Sequence, residues 1–207
     1  MKNILILAPH PDDGEFGCGG SIKKWADSGS KITYIAFSPC IKSIPKGFDK
    51  NILFTELKNA CKHLSINQNN IYTFDFPVRE FPKYRQEILE ELISIRKKTN
   101  FDLVVLPNSN DIHQDHQVIN QEGARAFKHS RIIGYELPWN NLEFTSNYHT
   151  KLEPKHLDAK WNAISEYHSQ GFRCYKSKEF IEGLARVRGT QLGVELAEAF
   201  EVIRWID

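Results

Sequence analysis

The chain has 207 residues, 41% of them hydrophobic and 26% charged, with 27 Lys+Arg against 26 Asp+Glu. This near-neutral, ordinary composition excludes the basic surface that nucleic acid binding demands, and with it disorder and a membrane class. Cys18, Cys40, Cys61 and Cys174 form no C-x-x-C pair, which excludes a disulfide framework and a thiolate zinc site and suits reduced thiols in the cytoplasm.

The first element is "NILILAP" (3–9), too short an apolar run for a signal peptide and read as a strand. No later stretch has the length of a membrane span. Four more apolar strands follow: "KITYIAFS" (31–38), "NIYTFDFP" (70–77), "FDLVVLPN" (101–108) and "RIIGYELP" (131–138). Between them, "GGSIKKWADSG", "NILFTELKNACKHLS", "PKYRQEILEELISIRKKT" and "QVINQEGARAFKH" carry apolar residues at helical three and four spacing. After Pro138 comes a loop rich in Asn and aromatics (139–150), then helical "EPKHLDAKWNAISEYHSQ" and "KSKEFIEGLARVRG", and a terminal apolar "EAFEVIRWI".

The alternation predicts an α/β fold of Rossmann-like type, a mostly parallel sheet of order 3-2-1-4-5 plus a C-terminal edge strand, flanked by helices. One domain covers 1–207, with a Rossmann-like core over 1–138 and a helical lobe with the edge strand over 139–207. In such a sheet ligands sit at the carboxyl ends of the strands where the order reverses, between strands one and four.

Two loops rich in histidine and carboxylate fall at that point: "HPDDGE" after strand one and "NSNDIHQDH" (108–116) after strand four. The glycines of "GCGG" could signal a phosphate cradle, but Asp12, Asp13 and Glu15 would repel an anion, and neither G-x-G-x-x-G nor a P-loop Lys is present. Gly17, Gly19 and Gly20 are instead assigned to a sharp strand-to-helix turn and close helix packing. A divalent metal fits better, because His10, Asp13 and His116 supply two imidazoles and a carboxylate with one position open. Asp12 and His113 then have the chemistry of a base and an acid. Asp111 reads as an N-cap of the helix beginning near Gln117, and Asp115 as either a cap or a contact to His113.

"APHPDDGEFGCGG" together with "HQDH" resembles the PIG-L/LmbE family of zinc-dependent N-deacetylases, and "RGTQLGVELAEAF" is similar to the family's C-terminal segment. The resemblance implies one Zn2+ per chain on His10, Asp13 and His116, with other divalent metals such as Fe2+ able to stand in. It implies Asp12 as general base and His113 as the group that stabilises the oxyanion and assists the leaving amine, with Asp115 beside it. The implied substrate is a small amino-sugar conjugate of N-acetylglucosamine type, nucleotide- or lipid-linked among other forms, and an oligomer is left open. Gly14 departs from the family pattern, which has Glu directly after the two aspartates. The segment before Glu56 lacks the family's arginine.

Arg79, Trp139, Asn140 and Arg188 are candidate substrate contacts from their positions near strand ends or in the late segment, as are Asn141, Tyr148 and Arg186. If Asp115 lies beside His113, the imidazole should be charged at neutral pH. Two rival readings share the residues. A non-haem iron enzyme would use the same three ligands, and a non-catalytic sugar-binding member would need neither Asp12 nor His113.

Overall fold

A computed structural model describes residues 1–206. In chain order the elements are β1 (Asn3–Ala8), α1 (Asp13–Asp27), β2 (Lys31–Ala36), α2 (Ile52–His63), β3 (Ile71–Thr73), α3 (Arg85–Lys98), β4 (Leu103–Pro107), α4 (Gln114–Ala126), β5 (Arg131–Tyr135), β6 (Tyr148–Lys151), α5 (Pro154–Ser165), α6 (Lys178–Thr190) and β7 (Ala197–Arg204). The strands form one sheet in the order β3-β2-β1-β4-β5-β7-β6. The first five run parallel, and β7 is antiparallel to both of its neighbours.

The 3-2-1-4-5 order is present and the C-terminal strand lies beside β5, but that strand is not the edge. The edge is β6, from the stretch expected to be loop. Its four residues, "YHTK", bury only Thr150, so they carry no apolar alternation for a sequence reading to find. They are ordered by pairing along β7 from Tyr148↔Phe200 to Lys151↔Ala197.

Both faces of the sheet are covered, which is why β1 reads as a continuous apolar run. Ile4, Ile6 and Ala8 point into a core shared with α1, α2 and α5, while Leu5 and Leu7 point into a second core under α3 and α4. Each of these Ile and Leu side chains contributes about 1.5–3 kcal/mol on burial. Leu152, Leu157, Ala163 and Phe200 from the C-terminal part lie in the first core with Ile4 and Ile6, so residues after 139 extend the main body and its sheet. Among the described residues no helix is long and apolar enough to cross a membrane.

Helix α1 starts at Asp13, earlier than expected, and its glycines lie inside it instead of in a turn. They permit close approach. A Cβ at Gly14 would lie 2.5 Å from the Tyr34 hydroxyl, and one at Gly20 2.6 Å from Leu152. The helix breaks at Cys18 (φ −149, ψ 24) and restarts, which frees backbone N–H groups in its middle. Glu198 on β7 accepts those of Gly20 (3.0 Å) and Ser21 (2.6 Å), and Lys160 on α5 donates to the same carboxylate at 2.7 Å.

Candidate metal and catalytic site

The loops after β1 and β4 meet because those strands are parallel neighbours. The first loop turns sharply at Asp12, whose backbone is left-handed (φ 91, ψ −27). For a residue with a Cβ this costs about 1–3 kcal/mol, a strain that clusters at functional sites. The turn carries His10, Asp12 and Asp13 onto one rim. The second loop runs into α4, which begins at Gln114 instead of Gln117 and so presents His116 from its first turn.

Three atoms converge. His10 Nδ1 lies 3.2 Å from Asp13 Oδ2, His116 Nε2 lies 3.3 Å from the same oxygen, and the two nitrogens are 3.2 Å apart. For ligands at about 2.0 Å on a tetrahedral metal the ligand-to-ligand edge is about 3.3 Å, so the triangle has the dimensions of three tetrahedral corners. The remaining ring nitrogens are oriented by carboxylates, His10 Nε2 toward Asp115 Oδ2 at 2.9 Å and His116 Nδ1 toward Asp111 Oδ2 at 2.7 Å. With those nitrogens donating, the lone pairs of the other two face the triangle.

The site demands positive charge. Burial opposes protonation of His116, but Asp13 and Asp111 outweigh it and push its pKa up to about 10. His10 is likewise raised despite burial, by Asp115 and Asp13. Burial would raise the carboxyl of Asp13, but the two imidazoles hold it well below the usual range. Asp12 goes the other way: burial first, then Asp13 and Glu15, raise its pKa well above that of an ordinary carboxyl. Behind the turn, fully buried Glu15 accepts the hydroxyls of Tyr34 (2.5 Å) and Tyr167 (2.9 Å), and burial raises its pKa to about 7.

His113 offers a further nitrogen within 4.8 Å of those of His10 and His116, so the three histidines could also group around a metal. Its Nδ1, however, accepts the backbone N–H of Asp115 at 3.2 Å. A neutral ring with Nδ1 so used carries its proton on Nε2, where it can donate but not ligate. The expectation of a charged imidazole is not met. Burial and the neighbouring histidines lower the His113 pKa to about 4, and the Asp115 carboxylate turns away to His10 and to the N–H groups of Arg79 (2.6 Å) and Phe81 (3.2 Å). Asp111 also differs from its expected capping role. One oxygen orients His116 and the other accepts the His113 N–H at 2.9 Å, while His113 itself caps α4.

A cavity of about 320 Å³ opens onto this cluster, and Arg79, Trp139 and Asn140 are among the residues that line it. Arg188 does not. It is bound to Glu136 through two nitrogens, one of them at 2.9 Å. Arg186 pairs with Glu195, Tyr148 packs on Phe200 and Trp205, and Asn141 bonds Leu137 N and Asn108. Gln170, Arg173 and Tyr175 do line the cavity and were not foreseen. Their segment is held by buried Glu56, which accepts both the N–H (2.8 Å) and the hydroxyl (2.6 Å) of Ser169. Nothing local in "SQGFRCYK" signals a site, since its placement depends on a helix more than a hundred residues earlier.

Comparison with known proteins bears on the family and the fold. The chain is 28% identical over 139 residues to diacetylchitobiose deacetylase of Thermococcus kodakarensis, covering 66% of this chain and 49% of that one. The matched stretch thus spans about half of that relative's length. It is 27% identical over 173 residues to the Escherichia coli protein named uncharacterized deacetylase YaiS, covering 81% and 91% of the two chains. The solved N,N'-diacetylchitobiose deacetylase from Pyrococcus horikoshii superposes with a TM-score of 0.83 at 23% identity, over 98% of this chain and 84% of that one, which shows a shared fold. Residues 5–127 match the family model PIG-L, described as GlcNAc-PI de-N-acetylase, and that stretch holds both loops of the cluster: the chain belongs to the PIG-L family.

Proposed function

We propose that the protein is a metal-dependent hydrolase that removes the N-acetyl group of an amino sugar or its conjugate, giving acetate and a free amine. The observation that carries this reading is the triangle of His10 Nδ1, Asp13 Oδ2 and His116 Nε2, with Asp12 and His113 beside it but outside it. These three would hold one divalent ion, Zn2+ by the tetrahedral dimensions, with Fe2+ a possible substitute. When bound, the ion supplies a Lewis acid that polarises the acetyl carbonyl and acidifies water.

Asp12 accepts the proton of the water that attacks the carbonyl carbon, a role its raised pKa suits because a stronger base works better near neutral pH. His113 donates its Nε2–H to the oxyanion of the tetrahedral intermediate, a contribution of about 3–4 kcal/mol in comparable sites. Asp12, now protonated, returns the proton to the sugar nitrogen as the C–N bond breaks. Asp115 and Asp111 orient the two imidazole ligands. The stacked pair Trp139 and Tyr175, with centroids 3.8 Å apart and planes 7° from parallel, gives the cavity an apolar wall against which a sugar ring can pack. Four free cysteines suit a reducing compartment such as the cytoplasm.

The test is acetate release from a panel of N-acetylated amino sugars and their conjugates, before and after chelation. Release should require the metal, proceed without oxygen consumption, and fall about 10²–10⁴-fold in Asp12→Asn with metal retained. Acetate release that survives complete metal removal would sink the reading.

A further inference from the structure

The proposed hydrolysis leaves one buried acid without a task. Glu15 is fully inaccessible, and its two oxygens each accept the hydroxyl of an equally inaccessible tyrosine. Tyr34 of β2 donates at 2.5 Å and Tyr167, just after α5, at 2.9 Å. Burying a carboxyl costs free energy that such hydrogen bonds offset, whereas an apolar side chain of the same size would not incur it. Packing alone gives no reason for Glu15, but its two partners lead to two separate parts of the cavity lining.

One partner leads to the base. The Tyr34 hydroxyl gives its proton to Glu15, which leaves a lone pair for the backbone N–H of Gly14, accepted at 3.2 Å. Gly14 stands two residues after Asp12, whose left-handed backbone persists only if its surroundings hold it. The hydroxyl needs the space, since a Cβ on residue 14 would lie 2.5 Å from it. Glycine directly after the two aspartates, with the acid one place later, is what lets Tyr34 stand between Glu15 and the turn.

The other partner leads to the wall. Tyr167 begins the segment that brings Gln170, Arg173 and Tyr175 to the cavity. Its carbonyl accepts Lys176 Nζ at 2.6 Å, so both ends of the segment are tied at this residue, and Ser169 between them is clamped by Glu56. The Tyr167 hydroxyl on Glu15 then joins the segment to α1. Phe16, the next residue along α1, meets Tyr175 edge-on with centroids 5.4 Å apart.

We propose that Glu15 is a positioning residue that registers base and wall against each other: through Tyr34 it fixes the turn carrying Asp12, and through Tyr167 it fixes the segment against which the sugar packs. The base role of Asp12 comes from the deacetylase reading, on which this rests. Reacting groups have to be held to within about 0.5 Å, and a misplacement of about 1 Å can cost on the order of 100-fold in rate.

The whole chain, saturated with zinc, is compared with Glu15→Gln, Tyr34→Phe and Tyr167→Phe, each of which keeps the shape of the side chain it replaces. Gln offers one acceptor oxygen to two hydroxyls and so leaves one of them unmatched. In hydrogen exchange without substrate, Tyr34→Phe should speed exchange about tenfold or more around residues 12–17, and Tyr167→Phe around residues 168–176. Glu15→Gln should speed both. With the N-acetylated sugar that the parent turns over fastest, Tyr34→Phe should lower kcat about tenfold or more at little changed KM. Tyr167→Phe should raise KM about threefold or more at little changed kcat. A merely structural role would lower stability and leave the two parameters unsplit. Three results would each overturn the proposal: exchange in Glu15→Gln confined to one segment, kcat and KM shifting alike in the two tyrosine variants, or loss of zinc from Tyr34→Phe, which would move the effect to Asp13. Exchange needs no substrate, so a parent that releases no acetate fails the deacetylase reading, while the tie between the two segments is still decided.

Discussion

Glu198 Oε2 accepts the backbone N–H of Ser21 at 2.6 Å, across 177 residues of sequence. With Oε1 on Gly20 N–H, this carboxylate caps the restart of α1 after the Cys18 break, and Lys160 balances its charge in a setting where both side chains are nearly inaccessible. The segment before that break carries Asp13, so the C-terminal strand holds the helix that presents a proposed ligand. Removing one partner of a buried ion pair leaves the other uncompensated. Glu198→Gln should cost about 3–5 kcal/mol in urea unfolding. Lys160→Met added to it should recover part of the loss. A Glu198→Gln protein as stable as the parent would mean that the carboxylate is not needed as a cap.

Asp111 sets the ring of His116 at 2.7 Å and does not belong to the ligand triangle. Partners of that kind typically contribute 10–100-fold to metal affinity. Asp111→Asn, which can still hydrogen bond but bears no charge, should weaken zinc binding by about that factor in a competition titration with a chromophoric chelator. His116→Ala should lose the metal outright. Unchanged affinity in Asp111→Asn would reduce this residue to its contact with the His113 N–H.

For His113 the geometry calls for a donor that need not be charged. Nδ1 is occupied by the Asp115 N–H, and the proton on Nε2 is available at any pH where the ring is neutral. His113→Gln retains an N–H donor and should bind zinc normally with a moderate fall in kcat. His113→Ala should lose about 10²–10³-fold in kcat, the size seen when an oxyanion donor is removed. Loss of metal in His113→Ala would move this histidine into the ligand set. Equal rates for Gln and Ala would remove the donor role.

What the sequence made legible here is what depends on strand ends. β1 and β4 are apolar runs whose loops begin at their last residues, so once the crossover is deduced, His10, Asp12, Asp13, His113 and His116 fall together without knowledge of any side-chain contact. The partner of each carboxylate was not legible. Asp111 on the loop and Asp115 in the first turn of α4 sit four residues apart, and only the three-dimensional turn gives one to His116 and the other to His10. Arg188 looked free because Glu136, its partner, is 52 residues away. Arg173 and Tyr175 were invisible for the complementary reason: they reach the cavity through a clamp from Glu56, 113 residues earlier, and not from a strand end. The strand β6 escaped because register with β7, not its own pattern, orders it.

Far from the cluster, His156 supplies a pH dependence that belongs to stability. It stands at the third position of α5, where Glu153 and His156 form a reciprocal cap: the Glu153 side chain accepts the His156 N–H, and His156 Nδ1 accepts the Glu153 N–H at 3.0 Å. An imidazole that accepts at Nδ1 must keep that nitrogen unprotonated. Burial, with Lys155 and Lys24 nearby, lowers the His156 pKa from 6.5, and the opposing charges of Glu153 and Asp27 do not reverse this. The sign follows from linkage. Below 6.5 the unfolded chain binds the proton while the folded protein still resists it, so stability present above that pH is lost as pH falls toward the folded value. His156→Gln offers the same acceptor, Gln being a natural residue for this position of a capping box, but does not titrate. Between pH 8 and 7 the two proteins should unfold at similar urea concentrations, and from about 6.5 downward the parent should fall behind the variant. Because every other titrating group is common to both, the difference isolates His156, and a gap that stays constant from pH 8 to 5 would remove the imidazole from the cap.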